Sequence, residues 1–276
     1  MKKCINREKI QKIGLFCKLN TNLNEQIALL KKIFLQRNIE LIFLNYEKIN
    51  IKDLHNLDFL ISLGGDGTLL SLCRQTYQAK KPILGINAGN LGFLTALSFE
   101  EVQEFFDDFF NERYKIEKAK MLQIVLHKKN KVIKKFAFND AVFSRDNALM
   151  ANVKVFFENK LFNAYYGDGL IIASSSGSTA YNISAGGPIV HPWNETFVVT
   201  PVCSHSLTQR PIVLPYGFEL ELKVEHCLLY LDGQEVIDPR EYDKIFIGLS
   251  KKEISFIHKK DRDYFQILKE KLNWGK

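Results

Sequence analysis

Two polar segments stand out by residue type and spacing. The first is Gly64-Gly65-Asp66-Gly67-Thr68, which follows an apolar run over residues 57–63. Three glycines after a buried strand let the backbone approach a ligand and turn its N–H groups toward phosphate oxygens. Asp66 needs another partner, because a carboxylate among phosphate-binding amides repels the phosphate, so it suits a hydroxyl or a metal ion. Amides for a donor's phosphates, beside a carboxylate for an acceptor hydroxyl, are what phosphoryl transfer requires. An ordinary aspartate, with a pKa of about 3.9, is too weak a base to deprotonate an alcohol beforehand, so transfer must occur late, within a loose transition state. The plainer alternative is an idle Gly-Asp-Gly turn. No Gly-x-x-x-x-Gly-Lys-[Ser/Thr] loop occurs, and Gly65-x-Gly67 lacks the third glycine of the dinucleotide fingerprint, which disfavours P-loop and Rossmann mechanisms.

The second segment is Ser174-Ser175-Ser176-Gly177-Ser178-Thr179-Ala180-Tyr181-Asn182-Ile183-Ser184-Ala185-Gly186-Gly187-Pro188, which crowds together five serines, a threonine and an asparagine. Its hydroxyls and glycine-exposed amides can hydrogen-bond a base or sugar, while Tyr181 adds an apolar ring with a polar tip. A solvated serine-rich loop is the alternative reading.

The elements that must position these segments change character along the chain. The first half alternates apolar strand patterns (residues 13–17, 39–44, 57–63 and 83–86) with helical ones. Asn24 can cap a helix carrying Ile27, Leu30, Ile33 and Phe34 on one stripe to about Asn38, and residues 68–76 predict another. Ser98 with Glu101 makes a capping box ahead of a face formed by Val102, Phe105, Phe106, Phe109 and Phe110. This alternation predicts an α/β N-terminal domain with a mainly parallel sheet over residues 1–118. From 119 to 276 strand patterns and tight turns predict a β-rich C-terminal domain, with strands at 121–127, 131–138, 153–157, 161–166, 228–231, 245–247 and 254–257. A terminal helix over 261–272 could pack back on the first domain.

Composition excludes several classes. With 46% hydrophobic and 25% charged residues, the 276-residue chain can bury a sizeable core and is neither disordered nor a stapled miniprotein. Arg7, Glu8 and Lys9 interrupt the start before any long apolar run, so no export signal is read, and no apolar stretch approaches membrane-spanning length. Five scattered cysteines without Cys-x-x-Cys spacing, and no His-Glu-x-x-His, argue against disulfides, zinc or a tightly bound metal and for a reducing cytoplasm. The net charge of +7 admits an anionic partner, but the basic clusters at 128–135 and 251–262 interleave with apolar residues as hairpin faces do, and no nucleic-acid motif occurs. Neither a nucleic-acid nor a membrane partner is expected.

Taken together, the motifs resemble the NAD kinase family. The matching residues are Gly64-Gly65-Asp66-Gly67-Thr68, Asn87-Ala88-Gly89-Asn90-Leu91-Gly92-Phe93, Asn139-Asp140, Gly167-Asp168-Gly169-Leu170-Ile171, Gly177-Ser178-Thr179-Ala180-Tyr181 running through Ser184-Ala185-Gly186-Gly187-Pro188, and His205-Ser206-Leu207-Thr208-x-Arg210-Pro211. The Gly-Gly-Asp-Gly loop also occurs in phosphofructokinases and in diacylglycerol and sphingosine kinases, whereas the later motifs single out NAD kinases. The resemblance implies transfer of the γ-phosphoryl group of ATP, or of polyphosphate, with magnesium, to the adenosine 2′-hydroxyl of NAD, in a cytoplasmic homodimer or homotetramer.

On this resemblance Asp66 orients and deprotonates the 2′-hydroxyl, beside Gly64, Gly65, Gly67 and the donor phosphates. Asn139 contacts adenine, Asp140 a ribose hydroxyl, and Asp168 and Ser184 the nicotinamide side. Thr179, Ala180 and Tyr181 line the nucleotide pocket and Phe93 supplies an apolar wall. Ser176, Asn182 and Gln234 complete the set of candidates. Each has a plainer reading: Asn139-Asp140 bends a strand, Gly167-Asp168-Gly169 is a hairpin turn, Phe93 is core, and Asp232-Gly233 before Gln234 is another hairpin signal. Three departures stand out: Ser174-Ser175-Ser176 for Thr-Pro-Thr, Asp140 for a glutamate, and Ser204 for a proline before His205. The rival functions are a related lipid or sugar kinase sharing the glycine loop, and a non-catalytic nucleotide sensor.

Overall fold

Buried runs of branched and aromatic residues alternate with amphipathic stretches through the first part of the chain. In the computed structural model, which describes residues 5, 10–18, 22–89, 92–95 and 97–275, they form parallel strands and helices. The chain divides into two compact units, one of Met1–Lys118 with Ile254–Lys276 and one of Ala119–Glu253. Among the described residues no helix is long and apolar enough to cross a membrane.

In the first unit, β1 (Lys12–Cys17) lies between β2 (Glu40–Phe43) and β3 (Phe59–Leu63), and β4 (Ile83–Asn87) follows β3, all in parallel. Strands β3 and β4 are buried at every residue, as parallel strands covered on both faces must be. A short β5 (Leu97–Ser98) continues in parallel beside β4, and Phe256 and Ile257 pair with Ile83 and Leu84. The helices are α1 (Asn24–Leu35), α2 (Asp66–Thr76) and α3 (Val102–Phe110).

Helix α3 buries the stripe expected of it, Val102, Phe105, Phe106 and Phe109. Phe106 meets Phe34 edge-on with ring centroids 4.9 Å apart, and Phe109 lies 5.4 Å from Phe59. Burial stabilises the fold by about 1.5–3 kcal/mol for each such ring. Glu101 Oε2 accepts from the Ser98 amide at 3.0 Å, the return half of a capping box. Asn24 does not act as a cap: Leu23, itself buried, occupies the cap position without a side-chain bond, which draws Asn24 into the first turn. The terminal helix spans Tyr264–Leu272, starting later than its pattern because Asp263 caps it by accepting from the Phe265 amide at 2.8 Å.

The second unit is built from antiparallel strands. Two long strands, β6 (Tyr114–Lys128) and, near the end, Lys244–Lys259, carry the chain across the division at each end. Between them come β7 (Lys131–Ala137), β8 (Asp140–Arg145), β9 (Ala151–Phe157), β10 (Lys160–Gly167), β11 (Gly169–Ser174), β12 (Thr196–Val202), β13 (Ile212–Pro215), β14 (Glu219–Glu225), β15 (Cys227–Leu231) and β16 (Glu235–Ile237), with Lys244–Lys259 as β17. One sheet has the order β13-β12-β11-β8-β15-β16, while β10, β9, β14 and β17 pair in a second. Phe143, Leu170, Phe197 and Leu229 from the first meet Val153, Leu220, Leu222 and Ile245 from the second in one core.

The two strands expected at 245–247 and 254–257 are one continuous strand. Gly167-Asp168-Gly169 is not a hairpin turn. The single residue Asp168 links β10 to β11, whose partners lie in different sheets. At Asp232-Gly233 the chain does turn back, with positive φ at both residues (53° and 62°), so that β15 pairs with β16.

Candidate active site

The glycine loop belongs to the first unit, between β3 and α2. Gly64 has φ +154°, and a Cβ there would lie 2.5 Å from Thr68 Oγ1. A Cβ on Gly65 or Gly67 would meet nothing within 4 Å, so open space faces the first turn of α2. Unpaired amides and the positive end of the helix dipole favour an anion in such a place.

Asp66 is the first residue of α2. Its Oδ1 accepts from Thr95 N (2.9 Å), Thr95 Oγ1 (2.9 Å) and Leu94 N (3.2 Å), and Oδ2 accepts from Phe93 N (2.9 Å). Thr95 Oγ1 in turn accepts from Asn87 Nδ2 at 3.1 Å. Any side chain on Gly92 would collide with the carboxylate, which is why a glycine precedes these donors. A carboxylate has about four acceptor positions, so Oδ2, with a single donor, keeps capacity for another. Phe93 therefore meets Asp66 through its backbone amide. Asn90 and Leu91 of the same family-like segment lie outside the described residues.

In the second unit a cavity of about 470 Å³ is lined by Asn139, Asp140, Ala180 and Tyr181, together with Val142, Ser144, Tyr230, Asp232 and Gly233. Asp232 organises one wall. Its Oδ2 accepts from Phe138 N at 2.8 Å, and its Oδ1 accepts from Asn139 N (2.7 Å) and Asp140 N (3.1 Å). Its own amide donates to Asp140 O at 2.9 Å. The Asp140 carboxyl, 5% exposed beside this second acid, is pushed up to about 7, first by burial and then by the Asp232 charge. Asn139 Oδ1 is buried and accepts no hydrogen bond from the described residues. A buried orphan acceptor at a cavity wall is where a ligand donor belongs.

The serine-rich segment is structured from within. Ser174 Oγ donates to Phe138 O (2.6 Å), and Ser175 Oγ to Asn194 O (2.5 Å) and Thr196 O (2.8 Å). Ser178 Oγ donates to Val190 O and accepts from Val190 N. Asn182, fully buried, donates to Ser178 O and Pro188 O and accepts from Thr200 Oγ1. Any side chain on Gly177 would strike the Asn139 carbonyl, so this glycine lets the segment close against the bend at Asn139 that leads into β8.

Of the residues singled out from sequence, Gly64, Gly65, Asp66, Gly67 and Phe93 thus gather around one carboxylate, and Asn139, Asp140, Ala180 and Tyr181 around one cavity. Ser176 is buried in the turn Ser176–Thr179, and Thr179 Oγ1 donates back to its carbonyl at 3.4 Å. Asp168 lies outside the cavity wall, half-exposed and 3.2 Å from Arg145 Nε. Ser184 and Gln234 are exposed and also outside that wall. Sequence reasoning missed Leu94, Thr95, Tyr230 and Asp232; only Asp232 carried a signal, as a turn residue. Among the described residues no group of three or more His, Cys, Asp and Glu side chains is arranged to hold a metal.

Comparison with known proteins gives matches over nearly the whole chain. Models of the ATP-NAD kinase N-terminal and C-terminal domains match residues 13–114 and 138–259. An NAD kinase of Campylobacter lari is 86% identical over 276 residues, covering 100% of both chains. An NAD kinase of Campylobacter jejuni is 49% identical, again with 100% of both chains covered. Among solved structures, yeast NADH kinase complexed with NADH has a TM-score of 0.82 at 25% identity, covering 96% of this chain and 88% of that one. An NAD kinase from Archaeoglobus fulgidus in complex with ATP has a TM-score of 0.79 at 26% identity, covering 95% and 99%.

Proposed function

We infer how the site works from one premise: this chain belongs to the NAD kinase family. It is an enzyme that transfers the γ-phosphoryl group of ATP to the adenosine ribose 2′-hydroxyl of NAD, making NADP.

Our reading of the residues rests above all on the Asp66 carboxylate, fixed by four donors with Oδ2 left able to accept one more. Asp66 Oδ2 accepts the hydrogen bond of the 2′-hydroxyl, aligns its oxygen with the γ-phosphorus and takes the proton late, as the P–O bond to the leaving group breaks. Four fixed donors cost nothing to reorganise during the reaction, so the contribution of Asp66 is chiefly orientation. The amides beside Gly65 and Gly67 receive donor phosphates. A magnesium ion carried by the triphosphate would neutralise charge on the transferring phosphoryl group; among the described residues no group of three or more His, Cys, Asp and Glu side chains would hold it.

Asn139 Oδ1, lacking a donor among the described residues, accepts from the adenine amino group, and Asp140 meets a ribose hydroxyl. Ala180 and Tyr181 form the apolar side of the same cavity. Asp168 and Ser184 address the nicotinamide half, and Thr179 and Gln234 approach the ligand from its margin. Ser176 and Asn182 hold the serine-rich segment in shape. We further place the protein in the cytoplasm as a homodimer or homotetramer, which light scattering on the purified chain tests.

Incubating purified protein with NAD, ATP and magnesium should yield NADP. No NADP across a range of pH, temperature and divalent ion overturns the reading.

A further inference from the structure

Arg262 stands just ahead of the terminal helix and reaches the segment that holds Asp66. It is almost fully buried, with 10% of its side chain exposed. Its Nη1 donates to Glu117 Oε2 at 3.0 Å, and its Nη2 donates to the Phe93 carbonyl at 3.3 Å. Around this pair, Lys115 Nζ lies 3.0 Å from Glu117 Oε1 and donates to the Arg262 carbonyl at 2.9 Å, while His258 Nε2 lies 3.5 Å from Glu117 Oε2. His258 is kept neutral, by burial first and then by the Arg262 and Lys115 charges, so among the described residues the cations facing Glu117 are Arg262 and Lys115.

The second guanidinium contact is informative. A buried Glu–Arg pair needs no third partner to satisfy its charges, and as a source of stability it can often be replaced by apolar side chains. Here the other arm of the fork goes to a carbonyl in the segment that grips the catalytic carboxylate. The peptide between residues 93 and 94 has its C=O on Arg262 and its N–H, at Leu94, on Asp66 Oδ1. In a trans peptide these two groups point in opposite directions, so fixing the oxygen fixes the direction of the N–H. A cation on the oxygen also polarises the amide and strengthens its donation. Guanidinium, peptide and carboxylate thus form a single hydrogen-bonded chain.

We propose that Arg262 is a positioning residue that sets the orientation of the Asp66 carboxylate through the 93–94 peptide, held in place by Glu117. The proposal rests on the reading of Asp66 as acceptor of the substrate hydroxyl proton. Arg262 touches neither substrate in this scheme. Its loss lets the peptide turn and the carboxylate swing, which lowers the rate of the chemical step while leaving the affinity for NAD in place. A lysine keeps a charge on Glu117 but cannot span both partners with a planar fork.

Three single variants of the full chain test this: Arg262→Lys, Arg262→Met and Asp66→Asn. Each is measured for thermal transition, for NAD dissociation by calorimetry, and for kcat and KM with both substrates. We expect kcat to fall about tenfold in Arg262→Lys and about 100-fold in Arg262→Met, with NAD dissociation constants and KM values within about threefold of the parent. Should the methionine variant not fold, the lysine variant, which leaves no orphaned buried carboxylate, decides alone. A kcat within threefold of the parent in Arg262→Lys overturns the proposal, as does a loss carried by KM for NAD at unchanged kcat. If Asp66→Asn keeps the parental kcat, the reading of Asp66 itself fails; if it loses rate while Arg262→Lys does not, only the role of Arg262 fails.

Discussion

Replacing Asp140 with asparagine should stabilise the folded protein, and by more at high pH than at low. The side chain is 5% exposed and faces Asp232, and its carboxyl titrates near 7 instead of the ordinary 3.8. For an acid whose folded pKa is raised, the folded state holds its proton where the unfolded chain has already released it. Stability from this group is therefore complete below about pH 4, declines as pH rises, and is fully lost above about 7. Between pH 5.5 and 8.5 only the part up to about 7 counts, roughly 1.5 pH units, which at 1.36 kcal/mol per unit is about 2 kcal/mol. Asparagine does not titrate, so the difference between parent and variant should move by that amount in favour of the variant as pH rises. Thermal melts at the two pH values read it as a relative gain of about 4–8 °C. The same variant should bind NAD more weakly, since an amide replaces the carboxylate offered to the ribose, a separation of stability from function common at binding sites. A difference in melting temperature that is the same at both pH values, or that shrinks toward pH 8.5, refutes the account of the Asp140 environment.

Other expectations follow from single contacts. Asp232→Asn removes one acceptor oxygen from the three amides of residues 138–140, and should destabilise by about 1–3 kcal/mol, while NMR titration should find the Asp140 midpoint lowered because the neighbouring charge is gone. Gly177→Ala drives a methyl group into the Asn139 carbonyl; calorimetry should show a loss of about 1–3 kcal/mol, and KM for NAD should rise as Asn139 shifts. Asn139→Ala removes the orphan acceptor and should weaken NAD binding about five- to tenfold, the value of roughly 1 kcal/mol for one neutral hydrogen bond, with kcat nearly unchanged.

What could be read along the chain was local. The strand before Gly64, the phenylalanine stripe of α3 and the turn at Asp232-Gly233 each follow from period or turn chemistry within a dozen residues. So does the glycine loop as an open turn between β3 and α2. What could not be read depends on chain segments brought together by pairing. Asp232 looks like any hairpin residue until β15 pairs with β8 and sets its carboxylate under amides 92 to 94 residues away. Asp168 looks like another hairpin residue, because no local pattern tells whether the strands on either side share a sheet. Arg262 reaches a carbonyl 169 residues distant, and its own neighbourhood reads only as a charged helix start. Asn24 shows the opposite failure, a good local signal overruled by a buried neighbour.

The open space over Gly65 and Gly67 bears on how this sequence tolerates change. Inside a helix, alanine is preferred to glycine by about 1 kcal/mol, and nothing in the protein excludes a methyl group at Gly67. A population of variants sorted only for folding should therefore drift away from glycine there, while holding it at Gly64, where Thr68 forbids a side chain. Sorted for turnover, the same population should keep both. Two positions of one loop would then carry two different kinds of history, one imposed by the chain's own atoms and one by a molecule that visits and leaves.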